Sequence, residues 1–239
     1  MTDKFQFVQY KNIRKAFLNP EYRALETSDP ELKYEEFSKL LLAQKYILLK
    51  CKYPNNFRRE SYRGRMALIV LTRYDSEYHN RSKEFISLLD KLSAQPEVKS
   101  SSESDLFLVT NQLLKKRTIK KVRNYRHFVF NNILSVRFAV ELPKANLCCR
   151  HEITTIEEIK KLSEECYIRV DKDKYIAEDD AQNIWIGGFP GELVKITKPS
   201  QMAGYAINYR YITGVIPRVD TSNEAEADAD DDDDAKDDD

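Results

Sequence analysis

Short apolar runs alternate with amphipathic stretches over the first 135 residues. Met66 to Thr72 is a continuous apolar run of buried-strand length, and Asp105 to Thr110 and His127 to Phe130 are shorter runs of the same kind. Between them, Ser82 to Leu92 and Asn111 to Asn124 place apolar residues at helical spacing. Because strands and helices alternate, this order predicts α/β packing with at least some parallel strand pairing.

Two helices are predicted before this unit. Asn12 to Phe17 begins the first after a short lead, and Asn19-Pro20 ends it. Asp29-Pro30-Glu31 supplies an N-cap, a proline at the first helical position and an acid in the first turn of the second. The apolar stripe of that helix comprises Leu32, Phe37, Leu40 and Leu41. Tyr46 to Cys51 is then a strand or an extension of this helix.

The pattern changes near Leu142 to Cys148, where Pro143 interrupts it. The later part predicts a helix from about Thr155 to Cys166, an extended segment from Tyr167 to Val170, and two strands within Trp185 to Ile212. We therefore predict an α/β (α+β) fold. It has an N-terminal α/β domain over residues 1–145, a small mixed-sheet C-terminal domain with one or two helices over residues 146–220, and a tail over residues 221–239.

Charge separates the tail from the rest of the chain. The formal net charge is zero, but residues 221–239 carry eleven acids and one Lys, which leaves 38 basic and 28 acidic side chains in residues 1–220. The tail is a low-complexity polyanion that is expected to be disordered. The remainder is basic, so nucleic acid or an acidic partner is the expected ligand.

No recognised catalytic or metal-binding pattern is present. The four cysteines form no paired C-x-x-C set, and the three histidines supply no regular spacing for zinc. Gly187, Gly188 and Gly191 lie between strand-like segments, which indicates a tight turn and argues against a phosphate cradle. We expect no catalytic residue, cofactor, metal or small-molecule substrate. Without an apolar run long enough for a bilayer or a signal peptide, the chain is expected inside the cell.

Two basic segments have a solvated surface as one interpretation and phosphate contact as the other. The predicted helix after Asn111 carries seven cations within about three turns: Lys115, Lys116, Arg117, Lys120, Lys121, Arg123 and Arg126. The second segment interleaves Arg58, Arg59, Arg63 and Arg65 with Phe57 and Tyr62.

The segment from Gly191 to Arg210 carries a specific resemblance. Its residues G-E-L-V-K-I-T-K-P-S-Q-M-A-G-Y-A-I-N-Y-R resemble the closing signature of the fifth subunit shared by eukaryotic RNA polymerases and of its archaeal counterpart. Nine positions match without a gap: Gly191, Val194, Lys195, Ile196, Ser200, Ala203, Gly204, Tyr209 and Arg210. His151-Glu152-Ile153 resembles the family's H-E-L. Lys174, Ala181, Lys198 and Met202 depart from the family pattern.

The resemblance implies a non-catalytic polymerase subunit with an N-terminal jaw and a C-terminal assembly domain. The implied contacts with the largest subunit are His151, Asp180, Trp185, Lys195, Lys198, Ser200, Gly204, Tyr209 and Arg210. Of the residues in this region, Trp185, Ile196, Ile207 and Tyr209 are expected to hold a local core in preference to contacting the partner. The positions implied to face downstream duplex DNA are Thr110, Asn111, Gln112, Lys115, Lys116, Lys120 and Lys121, with a helix start at Asn111 offering free N–H groups to a phosphate.

The origin and the setting follow from the same resemblance. Before residue 150 the likeness is one of element order and length only, and together with the polyaspartate tail this is typical of a divergent copy, such as one from a large DNA virus. A nuclear location is expected for a cellular protein, and a cytoplasmic viral factory or the virion for a viral one. The alternative is a free-standing basic nucleic-acid-binding protein outside any polymerase.

Overall fold

The computed structural model describes residues 3–74, 82–99, 103–122, 124–146, 148–166 and 175–214. The helices within these ranges are α1 Asp3–Leu18, α2 Tyr34–Gln44, α3 Ser82–Ser93, α4 Pro96–Lys99, α5 Lys116–Val122, α6 Ile156–Cys166 and α7 Ala181–Ile186. The strands are β1 Tyr46–Lys52, β2 Met66–Thr72, β3 Ser104–Thr110, β4 Phe128–Leu134, β5 Arg150–Ile153, β6 Tyr175–Ala177, β7 Leu193–Ser200 and β8 Gly204–Thr213.

The first sheet has the strand order β1-β2-β3-β4. β1 pairs with β2 antiparallel, whereas β2, β3 and β4 run parallel. All seven residues of β3 are buried, because helices cover both faces of this part of the sheet. The predicted α/β unit with parallel pairing is therefore confirmed.

The second sheet is small and mixed, with the order β5-β7-β8-β6. β7 pairs antiparallel with β5 and with β8, while β6 joins β8 in parallel. The two strands predicted between Leu193 and Ile212 are confirmed as the β7–β8 hairpin. The α+β fold class is confirmed with them.

One hydrophobic cluster joins the two parts of the chain. It contains residues of α1, of α2 and of one face of the first sheet, together with Ile184 and Trp185 of α7. A second cluster lies on the other face of the first sheet, under α3 and α5, and a third beneath the β7–β8 hairpin. The proposed boundary near residue 145 stays a prediction, but α7 packs into the core of the preceding part.

Buried Arg23 links the same two parts. Its guanidinium lies between the rings of Phe17 and Phe107, 4.6 and 5.0 Å from their centroids, and donates to the Ile184 carbonyl at 3.0 and 3.3 Å. Burial lowers the pKa of this guanidinium below its ordinary value. A cation placed among apolar groups is tolerated here because two ring faces and a carbonyl replace water.

Three helix starts differ from the prediction. α1 begins at Asp3 rather than after a lead, and α2 begins at Tyr34 rather than at Pro30. Asp29 is not an N-cap, because its carboxylate accepts the Lys50 amide of β1 at 2.8 Å. The third, α5, begins at Lys116 and not at Asn111.

The remaining elements follow the sequence more closely. Tyr46 to Cys51 is a strand, because Lys45 takes the left-handed conformation at φ 63° and ends α2. The helix predicted from Thr155 is confirmed as α6. Trp185 lies in α7 and not in a strand. The segment Tyr167 to Val170 and the acidic tail lie outside the described residues.

Candidate interaction surfaces

The β7–β8 hairpin carries the signature segment on a two-faced ribbon. Because paired residues of antiparallel strands share a face, Lys195 and Tyr209 lie together on the face toward α6. Val194, Ile196 and Ile212 lie on the opposite face and pack in the third cluster. The local sequence folds this way because apolar and polar residues alternate from Val194 to Thr197.

The tip of the hairpin projects from the molecule. Met202 is 99% exposed and Tyr205 is 63% exposed, while Ile207 on the same face as Tyr205 is 42% exposed. The turn is closed by Ser200 Oγ, which accepts the Ala203 amide at 3.3 Å, and by Gly204 at φ +72°. These two signature residues shape the tip, and its apolar side chains are left available for a partner.

Glu158 of α6 binds both signature residues on the adjacent face. Its Oε1 accepts Lys195 Nζ at 2.8 Å and the Tyr209 hydroxyl at 3.0 Å. The hydrogen bond from Lys195 lowers the pKa of Glu158 below its ordinary 4.5, and the same bond raises the pKa of Lys195 above 10.5. Lys195 and Tyr209 therefore hold α6 against the hairpin in this chain.

A small concave pocket of about 250 Å³ lies on the opposite face of the sheet. Three of the side chains that the resemblance implies for docking line it: His151, Lys198 and Arg210. His151 Nδ1 is 2.8 Å from the Cys149 carbonyl oxygen. Cys148, Cys149, Gln182 and Ile196 complete the wall, so the pocket combines a mainly apolar surface with a few polar side chains.

The last two implied docking residues have clear roles within the fold. Asp180 caps α7, since its Oδ1 accepts the amides of Gln182 and Asn183 at 2.9 and 3.3 Å. Trp185 has no exposed surface, and its Nε1 donates to the Arg137 carbonyl at 2.9 Å. Of the two interpretations given for Trp185, the structure places it in the core.

The basic segment around Arg58 is engaged by the chain itself. Arg58 donates a fork to Glu192, from Nε to Oε1 at 3.1 Å and from Nη2 to Oε2 at 3.2 Å, and also bonds the Gly187 carbonyl. Arg59 bonds the Pro190 carbonyl at 2.8 Å. Arg65 pairs with buried Asp105 at 2.6 Å. The guanidinium groups of Arg58 and Arg59 thus fasten the 187–192 turn, and that of Arg65 fastens the first sheet. Phosphate contact by this segment stays a prediction.

No sequence signal could have found that interaction, which we call the arginine clasp (Arg58, Arg59 and Glu192). Its partners lie 134 residues apart along the chain. The rings of Phe57, Tyr62 and Phe189 surround it, with Phe189 4.6 Å from Tyr62. The interleaved aromatics that suggested stacking with bases instead pack against one another.

The predicted DNA-facing turn lies at the carboxyl end of the parallel strands. Thr110 is buried, and its hydroxyl donates to the Gln112 carbonyl. Asn111 Nδ2 donates to the Tyr74 carbonyl at 2.6 Å, and the Leu114 amide donates to Asn132 Oδ1 at 2.8 Å. The turn is thus closed by its own side chains, and the helix start expected at Asn111 is absent from it.

The basic helix is shorter and more exposed than predicted. Lys115, Lys116 and Lys120 are exposed, as is Gln112 in the preceding turn, while Lys121 is half-buried. On the inner side, Thr118 and Val122 are buried against the first sheet. Lys115, Lys116 and Lys120 thus share an exposed basic surface, which we call the α5 basic surface.

The described residues were also considered as a metal site and as a membrane span. Within those ranges, no group of three or more His, Cys, Asp or Glu side chains is arranged to hold a metal ion. None of the helices described is both long enough and apolar enough to cross a membrane.

Comparison with known proteins gives consistent matches. Residues 140–212 match the family model for the RNA polymerase Rpb5 C-terminal domain. The DNA-directed RNA polymerase RPB5 homolog of African swine fever virus is 23% identical over 198 residues, covering 81% of this chain and 91% of that protein. The DNA-directed RNA polymerase subunit Rpo5 of Sulfolobus acidocaldarius is 33% identical over 73 residues, covering 30% and 87%. The Rpo5 subunit of Sulfurisphaera tokodaii is 30% identical over 78 residues, covering 33% and 93%.

The fold and the exposed surface first define a class. The chain is an α+β protein with a mixed N-terminal sheet and a small mixed C-terminal sheet that projects a hairpin. The matches then define the family, because the C-terminal part aligns with nearly whole archaeal subunits at 30% identity or more. The chain belongs to the Rpb5 family of RNA polymerase subunits. The predicted likeness to a copy from a large DNA virus is also confirmed, since the viral homologue aligns with 81% of the chain.

Proposed function

We propose that this chain is a non-catalytic subunit of a multisubunit DNA-directed RNA polymerase, and that it docks on the largest subunit through the β7–β8 hairpin. Family membership supports the polymerase. The observation that carries the docking role is the exposed apolar tip on the signature segment, where Met202, Tyr205 and Ile207 remain uncovered by the described chain. Large exposed side chains at the end of a rigid ribbon are the usual anchors of a protein interface.

The proposed interface combines this tip with the small pocket on the other face of the ribbon. His151, Lys198 and Arg210 line that pocket, and they suit carboxylate or carbonyl groups of the partner. Ser200 and Gly204 act by shaping the turn, and Lys195 and Tyr209 by fixing α6. Asp180 and Trp185 act indirectly, because they hold α7 beneath the sheet.

Affinity purification of the tagged chain from its native source tests the docking. The double variant Tyr205→Asp, Ile207→Asp should lose polymerase co-purification while keeping the circular dichroism spectrum and Tm of the parent. Ile156→Asp on α6 is the matched control, since Ile156 is an equally exposed apolar residue at 68%. Retention of the polymerase by the tip variant would place the docking surface elsewhere.

We further propose that the N-terminal jaw lies beside downstream duplex DNA in that complex, without reading its sequence. The α5 basic surface supports this, because Lys and Arg side chains bind duplexes by neutralising phosphates and releasing counterions. Gln112 and Lys121 border the α5 basic surface. Thr110 and Asn111 shape the turn that leads to it.

Salt-dependent binding to a duplex tests the jaw. The triple variant Lys115→Gln, Lys116→Gln, Lys120→Gln should bind the duplex with a weaker salt dependence. The plot of the logarithm of the binding constant against the logarithm of the salt concentration should become less steep by about 0.9 for each phosphate that is no longer neutralised. The control is the triple variant Lys4→Gln, Lys33→Gln, Lys39→Gln. It makes the same charge change at exposed positions in α1, directly before α2 and in α2. Equal slopes for both triple variants would contradict a specific role of the α5 basic surface.

The alternative, a free-standing nucleic-acid-binding protein, predicts a different native size. A polymerase subunit should elute within a complex far larger than the 28.0 kDa chain. Elution of the native protein as a monomer would favour the alternative.

A further inference from the structure

One edge of the first sheet has backbone groups directed outward. The Ser104 amide of β3 donates to the His127 carbonyl at 2.8 Å, and Ser104 is paired with Phe128 in the parallel register. In a parallel ladder, alternate residues bond to the neighbouring strand. The odd-numbered residues Val129, Asn131 and Ile133 therefore bond to β3, and the N–H and C=O groups of Phe130 and Asn132 point away from the sheet.

This edge faces a cleft of about 540 Å³. Val129 to Ile133 all line the cleft, although side chains alternate between the two faces of a strand. The Asn132 side chain is held on the other face by the Leu108 carbonyl and the Leu114 amide, and Phe130 packs there against Phe85. Phe130 and Asn132 thus reach the cleft with their backbone, which agrees with the ladder.

The opposite edge of the same sheet is already covered. Glu26 forms a bridge with Lys52 of β1, Thr27 Oγ1 donates to the Lys50 carbonyl, and Asp29 accepts the Lys50 amide. Over the ranges that the structure describes, no hydrogen bond reaches the outward backbone groups of Phe130 or Asn132. Buried or cleft-lining backbone groups are normally paired, so this edge is prepared for an added strand.

Charge indicates what kind of strand fits. Arg23 and Arg59 on the cleft wall bond carbonyls, and Asp105 bonds Arg65 and Tyr53. Glu178 and Asp179 also line the wall, and no ion pair of either is present among the described residues. Burial raises the pKa of Glu178 above 4.5, the charge of Asp179 acts in the same direction, and the charge of Arg23 opposes the shift only in part. A cation of the incoming segment would compensate this acidic wall.

We propose that β4 receives an extended segment of another polymerase polypeptide as a fifth strand, with a Lys or Arg of that segment beside Glu178 and Asp179. The backbone edge supplies the hydrogen bonds, and the acidic wall selects a basic sequence. The 178–190 segment forms the other wall of the cleft, which favours a single extended chain over the sheet of a second copy. This inference rests on the proposed function, because the partner is a polymerase polypeptide.

Amide hydrogen exchange, measured residue by residue, tests whether a strand is added to β4. It is measured on the free chain and on the chain in purified polymerase. In the free chain, the amides of Phe130 and Asn132 should exchange at least tenfold faster than those of Val129 and Asn131. In the complex, Phe130 and Asn132 should become as slow as their neighbours. Slow exchange of Phe130 and Asn132 in the free chain, or unchanged fast exchange in the complex, would overturn the proposal.

Charge reversal tests the wall. The double variant Glu178→Arg, Asp179→Arg should dissociate from polymerase about tenfold faster than a control double variant. The control is Glu31→Arg, Glu35→Arg, which makes the same charge change at exposed positions just before and within the first turn of α2. Equal dissociation rates would overturn the assignment of a basic segment. Failure of the unmodified chain to co-purify with polymerase would refute the proposed function and this inference together, whereas co-purification without protection of the edge refutes the inference alone.

Discussion

At the scale of single residues, Glu158 decides what the signature residue Lys195 can do. The carboxylate of Glu158 holds Lys195 at 2.8 Å and Tyr209 at 3.0 Å, so both side chains are used within the chain. A change such as Lys195→Glu would place two carboxylates together and weaken the contact of α6 with the hairpin. Loss of polymerase binding in that variant would therefore not separate docking from folding.

Replacing Lys195 by Met should lower the free energy of unfolding by about 0.5–1 kcal/mol, because the pair is partly exposed. The pKa of Glu158 is lowered in the folded state, so its contribution exists above pH 4.5 and disappears as the pH falls through the folded value. The raised pKa of Lys195 makes its contribution complete below pH 10.5, and the contribution disappears as the pH rises through the folded value. Urea titrations at several pH values check this. Lys198→Met, on the other face of β7, is the control.

The glycines of the turn before β7 should differ in their tolerance of a methyl group. A Cβ on Gly188 would lie 2.2 Å from Asn183 Oδ1 and 2.3 Å from Ile212 Cδ1, whereas a Cβ on Gly191 meets no atom within 4 Å. Gly188→Ala should lower the free energy of unfolding by about 1–3 kcal/mol, because the added methyl group overpacks the site. Gly191→Ala should lower the free energy of unfolding by about 1 kcal/mol, and only because alanine disfavours the φ of +86° at this position. Equal Tm values for the two variants would contradict this difference.

At the scale of elements, α1 is fixed by polar side chains as much as by apolar ones. Gln6, Gln9 and Asn12 are buried, and their amides donate to the carbonyls of Thr72, Ser135 and Phe138. These carbonyls lie at or beyond the ends of β2 and β4. The helix thus satisfies backbone groups at the carboxyl edge of the sheet.

Gln9→Leu tests this role of α1. The Ser135 carbonyl would lose its donor at 2.9 Å inside the core, which should lower the free energy of unfolding by about 1–3 kcal/mol. Lys4→Leu, at an exposed position of the same helix, should change it by less than about 0.5 kcal/mol. Chemical denaturation followed by circular dichroism measures both. A similar loss of stability in the two variants would mean that helix amphipathicity alone matters.

The same amides explain why the start of α1 could not be predicted. Helix periodicity is detected from apolar residues, and Gln6, Gln9 and Asn12 occupy inward positions that the pattern counts as polar. The buried strands β2 and β3 were predictable because their runs are almost continuously apolar. The start of α2 was misplaced because the Asp29-Pro30 signal serves the edge of β1, a contact that local sequence does not report.

The candidate surfaces were predictable to different degrees. The hairpin follows from alternation and from the signature, and its two strands lie where the sequence places them. The α5 basic surface keeps Lys115, Lys116 and Lys120, although the helix begins later because Asn132 and Thr110 close the preceding turn. The arginine clasp and the β4 edge depend on contacts across the whole fold, so no local pattern indicates them.

At the scale of the whole molecule, the two parts of the chain share a hydrophobic cluster through α7 and are fastened by the arginine clasp. Trp185, the only Trp of the chain, lies in the shared cluster beside Phe138 and Tyr22. Its fluorescence therefore reports the junction, whereas the far-ultraviolet circular dichroism reports all helices and strands. Unfolding of the intact chain should give coincident transitions by the two probes, because α7 of the later part supplies Ile184 and Trp185 to the core of the first sheet.

The clasp should contribute measurably to this cooperativity. Glu192 accepts a fork from Arg58 and the Phe189 amide at 2.9 Å, with only 13% of its side chain exposed. Glu192→Gln should therefore lower the free energy of unfolding by about 1.5–3 kcal/mol and shift both probes together. Glu152→Gln removes the exposed partner of Arg150 and should cost less than about 0.5 kcal/mol. If Glu192→Gln separated the fluorescence transition from the dichroism transition, the clasp would be the main link between two independent folding units, and the shared core at Trp185 would be secondary.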